Sequence, residues 1–219
     1  MKSICFIVGA GEYSGRYTPN DDTYIIAADA GYTTLVENGI KPNLVVGDFD
    51  SLGAAPDFDN IITVPAEKND TDMSLAIKQG LAYGCRIFII DGGIGGRLDH
   101  TLANIQLLKE INKFSAYGIM LGIDSCITTI TNEVISIDPS KNGIISVFAL
   151  GNVAHGVTLE GLKYPLDDFT MTDNYPIGVS NEFTKSPARI SVKEGTLLIC
   201  WESQSVKITY KNLPISISL

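Results

Sequence analysis

Leu44-Val45-Val46-Gly47-Asp48-Phe49-Asp50-Ser51 is the stretch on which the reading of this chain turns. Its first three residues form a short apolar run of the kind buried on both faces in a parallel sheet. The run stops at a glycine, and two carboxylates one residue apart follow. Gly47 has no Cβ to clash, so the chain can bend there and turn Asp48 and Asp50 toward one point. A hard cation such as Mg²⁺ takes oxygen ligands and binds through one or two carboxylates plus substrate phosphates. The same residues also suit an ordinary turn in which Asp48 and Asp50 bond their own backbone. The pentapeptide alone leaves both readings open.

The pattern of apolar run, glycine or aspartate, then helix-like stretch recurs through the first half of the chain. Ile4 to Val8 ends at Gly9-Ala10-Gly11-Glu12, and Tyr24 to Ala28 ends at Asp29-Ala30-Gly31. A helical segment after Gly31 closes at Asn38-Gly39, a suitable C-cap. Arg86 to Ile90 runs into Asp91-Gly92-Gly93, and Tyr117 to Leu121 into Gly122. Strands alternating with helices predict a parallel, doubly wound sheet with right-handed crossovers. Ligands of such sheets sit outside the carboxyl ends of the strands. The Gly- and Asp-rich loops are therefore expected to converge on one edge.

Gly9-x-Gly11 after the first strand invites a dinucleotide-binding reading, but Ser14 stands where the third glycine of that fingerprint belongs. A nucleotide or phosphate contact by this loop stays open. Thr71-Asp72 precedes a helix expected from about Met73 to Ala82. Thr71 suits an N-cap, and the macrodipole favours Asp72 beside it. A carboxylate held rigidly at a helix start also suits a metal. Gly92-Gly93-Ile94-Gly95-Gly96-Arg97-Leu98-Asp99-His100 is more specific. Gly93, Gly95 and Gly96 let backbone amides approach a phosphate, and Arg97 can fork two of its oxygens. Leu98, Leu102, Ile105 and Leu108 or Ile111 mark a helix with Asp99 near its start, where Asp99 serves as a cap or as part of a site.

After about Gly122 the texture changes to short β-branched runs: Cys126 to Thr131, Val134 to Ile137, Ile144 to Ala149, Ala154 to Leu159, Ile190 to Val192, Leu197 to Trp201 and Val206 to Tyr210. Asn142-Gly143 and Glu194-Gly195 read as hairpin turns. This half predicts a β-sandwich or jelly roll. The expected division is an α/β domain over residues 1–123 and a smaller all-β domain over residues 124–219. Between the runs, Gly161 to Phe183 shows weak periodicity and reads as a long functional or disordered loop.

Composition narrows the function. The chain of 219 residues is 45% hydrophobic and 19% charged, as in ordinary globular proteins. A net charge of −9 argues against nucleic acid as a partner, since phosphate backbones select basic surfaces. It does not exclude a small polyanionic substrate bridged by a metal. Cys5, Cys85, Cys126 and Cys200 form no CxxC pair and suit a reducing compartment. No apolar run approaches a membrane span. Lys2 with Ile4 to Ala10 resembles a signal peptide only faintly, and a first core strand is the better reading. A cytoplasmic protein without a membrane partner is expected.

Taken in order, Gly47-Asp48-Phe49-Asp50-Ser51, Thr71-Asp72, Gly95-Gly96-Arg97-Leu98-Asp99-His100 with Leu102-Ala103-Asn104, Gly161-Leu162-Lys163-Tyr164-Pro165-Leu166 and Gly178-Val179-Ser180-Asn181-Glu182 resemble the thiamine pyrophosphokinase family. The matches span nearly the whole chain. The resemblance implies a Rossmann-like parallel-sheet catalytic domain followed by a β-sandwich, working as a homodimer with thiamine at the subunit interface. It implies transfer of the diphosphate group of ATP to the thiamine hydroxyl, giving AMP and thiamine diphosphate, with Mg²⁺. Carried over residue by residue, Asp48, Asp50, Asp72 and Asp99 resemble the acidic set around Mg²⁺ and the triphosphate. Asp29 matches the aspartate of the family's ADGG segment, and Thr71 a phosphate contact. Ser180, Asn181 and Phe183 fall in the thiamine-binding segment, with Phe183 where an aromatic stacks on the pyrimidine. Ala30 replaces the first glycine of ADGG, and Asn69 stands where many relatives carry aspartate. Asp70 lies one residue out of register as a substitute.

Phosphoryl-type transfer needs alignment and charge neutralisation more than covalent chemistry from the protein. Arg97 and the glycine amides suit phosphate oxygens, and either Asp72 or Asp99 suits the hydroxyl proton. Three rival readings are a pyrophosphokinase acting on a pterin alcohol, a phosphatase with Asp48 as nucleophile, and a non-catalytic nucleotide-binding domain. The D-x-D here follows the third strand rather than the first, which counts against the phosphatase.

Overall fold

The computed structural model describes residues 3–49, 58–63, 69–137, 143–202 and 215–217. The chain divides into two compact units, Met1–Ile123 and Asp124–Leu219. The first is an α/β layer structure, the second an antiparallel β-sandwich.

In the first unit the chain runs β1 (Ile4–Val8), β2 (Thr23–Ala28), α1 (Gly31–Glu37), β3 (Leu44–Gly47), β4 (Ile61–Thr63), α2 (Asp72–Tyr83), β5 (Ile87–Asp91), α3 (Leu98–Asn112) and β6 (Tyr117–Leu121). All neighbouring strands are parallel, in the spatial order β6-β5-β1-β2-β3-β4. Every residue of β1, β3 and β6 is buried, which is why these runs are apolar without alternation. Ile4 to Val8 is thus a central core strand, paired on one side with β2 and on the other with β5. Strand order reverses between β1 and β5, so the topological switch point lies at their carboxyl ends.

Local chemistry sets the helix limits. Thr71 caps α2 by accepting the Ser74 amide at 3.1 Å, and Gly84 closes it in the left-handed conformation at φ +102°. The helix therefore starts one residue before the expected Met73 and ends one after Ala82. Strand β4 escaped the sequence reading because it is three residues long and half-exposed, with no alternation to detect.

The second unit runs β7 (Ser125–Thr131), β8 (Val134–Ile137), β9 (Ile144–Ala149), β10 (Val153–Glu160), β11 (Leu166–Thr172), β12 (Asn181–Glu182), β13 (Ala188–Ser191), β14 (Thr196–Glu202) and β15 (Ile215–Ile217). One antiparallel sheet has the order β12-β9-β14-β7. The other is β11-β10-β13-β8-β15. Ile145, Val147, Leu197 and Ile199 from the first, and Ala154, Val157, Ile135 and Ile190 from the second, are buried.

Three expectations change here. The Glu194-Gly195 turn is not a hairpin, because β13 and β14 on either side belong to different sheets. The same holds for the connection from β8 to β9 through Gly143; Asn142 itself lies outside the described residues. Turn residues specify a reversal, not the strand's partner. The stretch from Gly161 to Phe183 is not one long loop, since it contains β11. That strand is an edge with two register shifts against β10 and mostly solvent-facing side chains, so its sequence shows no clean period. The expected strand Val206 to Tyr210 lies outside the described residues.

Candidate active site

At the switch point the loop after β1 lies against the loop after β5. Gly9 N–H donates to Asp91 O at 2.9 Å, Gly11 N–H to Gly92 O at 2.8 Å and Glu12 N–H to Ile94 O at 2.9 Å. A Cβ on Gly11 would stand 2.6 Å from the carbonyl oxygens of both Gly92 and Ile94. The Gly9-x-Gly11 pair is thus explained by close approach of two backbones, and its amides are engaged. The dinucleotide reading loses its chemical basis. By contrast, the amides of Gly93, Gly95 and Gly96 donate to no described group.

Asp91 ends β5 fully buried and accepts from Ser14 N–H at 2.7 Å, Ser14 Oγ–H at 2.7 Å, Gly15 N–H at 3.2 Å and Gly92 N–H at 2.9 Å. Burial pushes its carboxyl above the ordinary carboxylate range, while the bonds from Ser14, Gly92 and Gly15 pull it back. Sequence reading marked Asp91 only as a strand end. The signal was an aspartate at the last position of an apolar run.

The strand ends carry backbone strain. Asp29, just after β2, has φ +50°, and its N–H donates to Val46 O at 2.8 Å. Ala30 is ordinary right-handed backbone at φ −58°, so the missing glycine there needs no special geometry. After β3 the left-handed residue is Phe49, at φ +60° and 2% exposed, and not Gly47. The bend assigned to Gly47 is therefore made two residues later, by a bulky side chain anchored in the core. Such a conformation costs about 1–2 kcal/mol. Gly47 is small for another reason: a Cβ there would meet the Asp29 Cα and the Phe49 ring, each at 3.1 Å. Asp48 is half-buried beside this bend, and Asp50 lies outside the described residues.

At the start of α2, Thr71 and Asp72 face the same cavity as Asp29. Asp70 does not: its carboxylate binds Lys78 Nζ at 2.7 and 2.8 Å and the Ser74 hydroxyl at 2.9 Å. From α3, Asn104 donates to Gly93 O at 2.8 Å and fixes the glycine loop. Gly95 and Gly96 take φ of +86° and +65°, conformations that favour glycine. Arg97 precedes α3, and its guanidinium grips Asp99 through Nη2 at 2.6 Å and Nε at 3.2 Å. Both side chains are exposed. The Arg97 bond holds the Asp99 carboxyl below the usual carboxylate range.

These walls enclose a cavity of about 440 Å³ that includes Gly9, Asp29, Thr71, Asp72, Gly93 and Arg97, with Gly95, Gly96 and His100 at its lining. Of the expected acidic set, Asp72 lines it; Asp48 and Asp99 do not. Met73, Ala103 and Asn104 are lining residues to which the sequence reading gave no role. Among the described residues, no group of three or more His, Cys, Asp or Glu side chains could hold a metal by itself.

In the second unit, Asn181 is buried at 3% exposure. It accepts from Tyr164 N–H and Glu182 N–H, both at 2.9 Å, and donates to Tyr164 O at 2.6 Å. Ser180 is exposed with φ +56°, and its N–H donates to the Ser146 hydroxyl at 3.1 Å. Phe183 is half-buried and bridges Leu162.

Residues 16–121 match the family model described as thiamin pyrophosphokinase, catalytic domain, and residues 132–197 match thiamin pyrophosphokinase, vitamin B1 binding domain. A thiamine pyrophosphokinase of Bacillus subtilis is 32% identical over 91% of this chain and 98% of its own length. The crystal structure of thiamine pyrophosphokinase from Bacillus subtilis superimposes with a TM-score of 0.80 at 28% identity, covering 91% of this chain and 99% of that one. The structure from Geobacillus thermodenitrificans gives 0.78 at 27% identity, covering 94% and 100%. With both family models matched in order and a near-full-length relative above 30% identity, this chain belongs to the thiamine pyrophosphokinase family.

Proposed function

We propose that the cavity at the β1/β5 switch point holds the polyphosphate of ATP while its diphosphate group passes to the thiamine hydroxyl, giving thiamine diphosphate and AMP. One observation carries the site assignment. Unengaged amides of Gly93, Gly95 and Gly96, with Arg97 and Thr71, share a single cavity with the carboxylates of Asp29 and Asp72. Amides and a guanidinium bind phosphate oxygens, and carboxylates bind a cation or a proton. Family membership does not favour the pterin-alcohol, phosphatase or non-catalytic alternatives.

The donors fit magnesium. The carboxylates on the cavity are hard oxygen ligands, and magnesium needs only one or two of them beside substrate phosphates. Asp72, with Asp29 and Asp48 at neighbouring strand ends and with Asp50, would hold it. When bound, the ion neutralises charge on the transferring group. Arg97 and the loop amides orient the phosphates, and the packed glycine backbones keep that geometry fixed. For the hydroxyl proton Asp72 is the better acceptor, because it lines the cavity, whereas Asp99 is gripped by Arg97.

Residues 1–123 form the nucleotide- and metal-binding domain in this reading, and residues 124–219 supply thiamine contacts and the contacts of a homodimer. Ser180 and Phe183 meet thiamine directly, and Asn181 acts by holding Tyr164. No helix among the described residues is long and apolar enough to cross a membrane. A coupled assay for AMP, with thiamine and a pterin alcohol as competing acceptors, tests the reaction. Stoichiometric ADP with thiamine monophosphate, or preference for the pterin, overturns it.

A further inference from the structure

Ser14, which occupies the third-glycine position of the Gly9-x-Gly11 segment, has no part in the reaction described above, nor has Asp91. The two are joined by both a backbone and a side-chain hydrogen bond of 2.7 Å. A fully buried carboxylate beneath a site for a polyanion is an unfavourable charge to place there, because like charges repel in a low dielectric. It persists because amides of three residues and one hydroxyl converge on it. Two of those residues, Ser14 and Gly15, come from the middle of the connection between β1 and β2, and the third, Gly92, begins the glycine loop after β5.

We infer that Asp91 and Ser14 form a brace that positions the phosphate-binding glycine loop against the β1 loop. The β1 loop is tied to the β5 loop at three backbone points, from Gly9, Gly11 and Glu12. Those ties end at Glu12, and beyond it the carboxylate of Asp91 gathers the chain at Ser14 and Gly15. Asp91 Oδ1, which accepts the Ser14 amide, also takes the amide of Gly92, at φ +68°, and so fixes the first peptide of the segment that continues into Gly93. One carboxylate thus sets the spacing of two loops, and a glycine in place of Ser14 would lose one of its ties. Neither residue lines the cavity, so both are positioning residues. The role rests on the reading of the cavity as the nucleotide site.

The test compares Ser14→Ala, Asp91→Asn, Asp91→Ala and Arg97→Ala in steady-state kinetics, with thermal unfolding measured alongside. Ser14→Ala removes one charge-assisted hydrogen bond from a half-buried loop and is expected to raise the ATP KM about tenfold, with the thiamine KM unchanged. Asp91→Ala is expected to raise it about a hundredfold, the cost of a small misplacement of binding groups. Asp91→Asn should recover part of that loss, because Oδ1 still accepts the Ser14 and Gly92 amides and the Ser14 hydroxyl can reverse to accept. Equal increases in both KM values, or a fall in unfolding temperature with the ATP KM unchanged, overturn the brace. If Asp91→Ala does not fold, Ser14→Ala decides alone. Arg97→Ala separates the two readings: an unchanged ATP KM there overturns the nucleotide site and the brace with it. A raised value there, with Ser14→Ala and Asp91→Asn both silent, overturns the brace only.

Discussion

Arg97 and Asp99, two residues apart at the start of α3, hold each other in a two-pronged ion pair, Nη2 to Oδ2 at 2.6 Å and Nε to Oδ1 at 3.2 Å. Arg97 also borders the cavity, so a phosphate bound there would compete with Asp99 for the same guanidinium. The pair makes Asp99 more acidic than an isolated carboxyl. A depressed folded-state value means that its contribution to stability is present above the unfolded value, about 3.9, and is lost as pH falls through the folded one. Arg97→Ala is expected to move the Asp99 titration upward, toward the ordinary range, in carboxyl-carbon NMR. An unmoved Asp99 titration contradicts the pair.

Loss of charge stabilisation in phosphoryl-type transfer is costly. Asp72→Asn, and likewise Asp48→Ala and Asp50→Ala, should lower turnover by several orders of magnitude with the circular dichroism spectrum unchanged. Retained turnover within about tenfold, a loss of only ~1.4 kcal/mol, removes that residue from the metal set.

Two glycines of the site should respond differently to alanine. At Gly11 a Cβ meets two carbonyl oxygens at 2.6 Å, so Gly11→Ala should force the loops apart and lower both stability and ATP affinity. At Gly96 a Cβ meets nothing within 4 Å, and only the φ of +65° opposes it. Gly96→Ala should cost about 1–2 kcal/mol in chemical denaturation and fold normally.

Thiamine joins a flat pyrimidine to a cationic ring, for which an aromatic face is a suitable platform. Phe183→Ala should raise the thiamine KM far more than the ATP KM. Equal effects on both substrates return Phe183 to a packing role. Asn181→Ala, which frees both backbone groups of Tyr164, should act on thiamine KM and on stability together. Sedimentation of the intact protein should show a dimer, and an active monomer breaks that expectation.

The cysteines should be inert in the native state. Burial pushes the Cys200 thiol up to about 11, and burial beside Cys85 raises Cys5 well above its ordinary value. Since thiolate is the nucleophile, alkylation at pH 8 should be slow until denaturant is added. Rapid stoichiometric labelling of the native protein contradicts this packing.

Much of this architecture was legible along the chain because its determinants are local. Unbroken apolar runs such as Ile4 to Val8 announce strands buried on both faces, and Thr71 and Asn38-Gly39 announce helix ends. The change of rhythm after Gly122 separates a parallel sheet from a sandwich, and ordered motifs such as Gly96-Arg97-Leu98-Asp99-His100 carry the family resemblance. Tertiary structure decided what depends on distant partners. The reversal of strand order between β1 and β5 placed the cavity. Gly9 and Gly11 are small because another loop's carbonyls press on them. The bend near Asp48 falls on Phe49 because the core grips its ring, and the turn at Glu194-Gly195 changes sheets because β14 finds β7 and β9. Asp91 and Ser14, 77 positions apart, become one brace only in space. Sequence determines which conformations a segment prefers; burial and hydrogen bonding between remote segments determine which of those preferences are used.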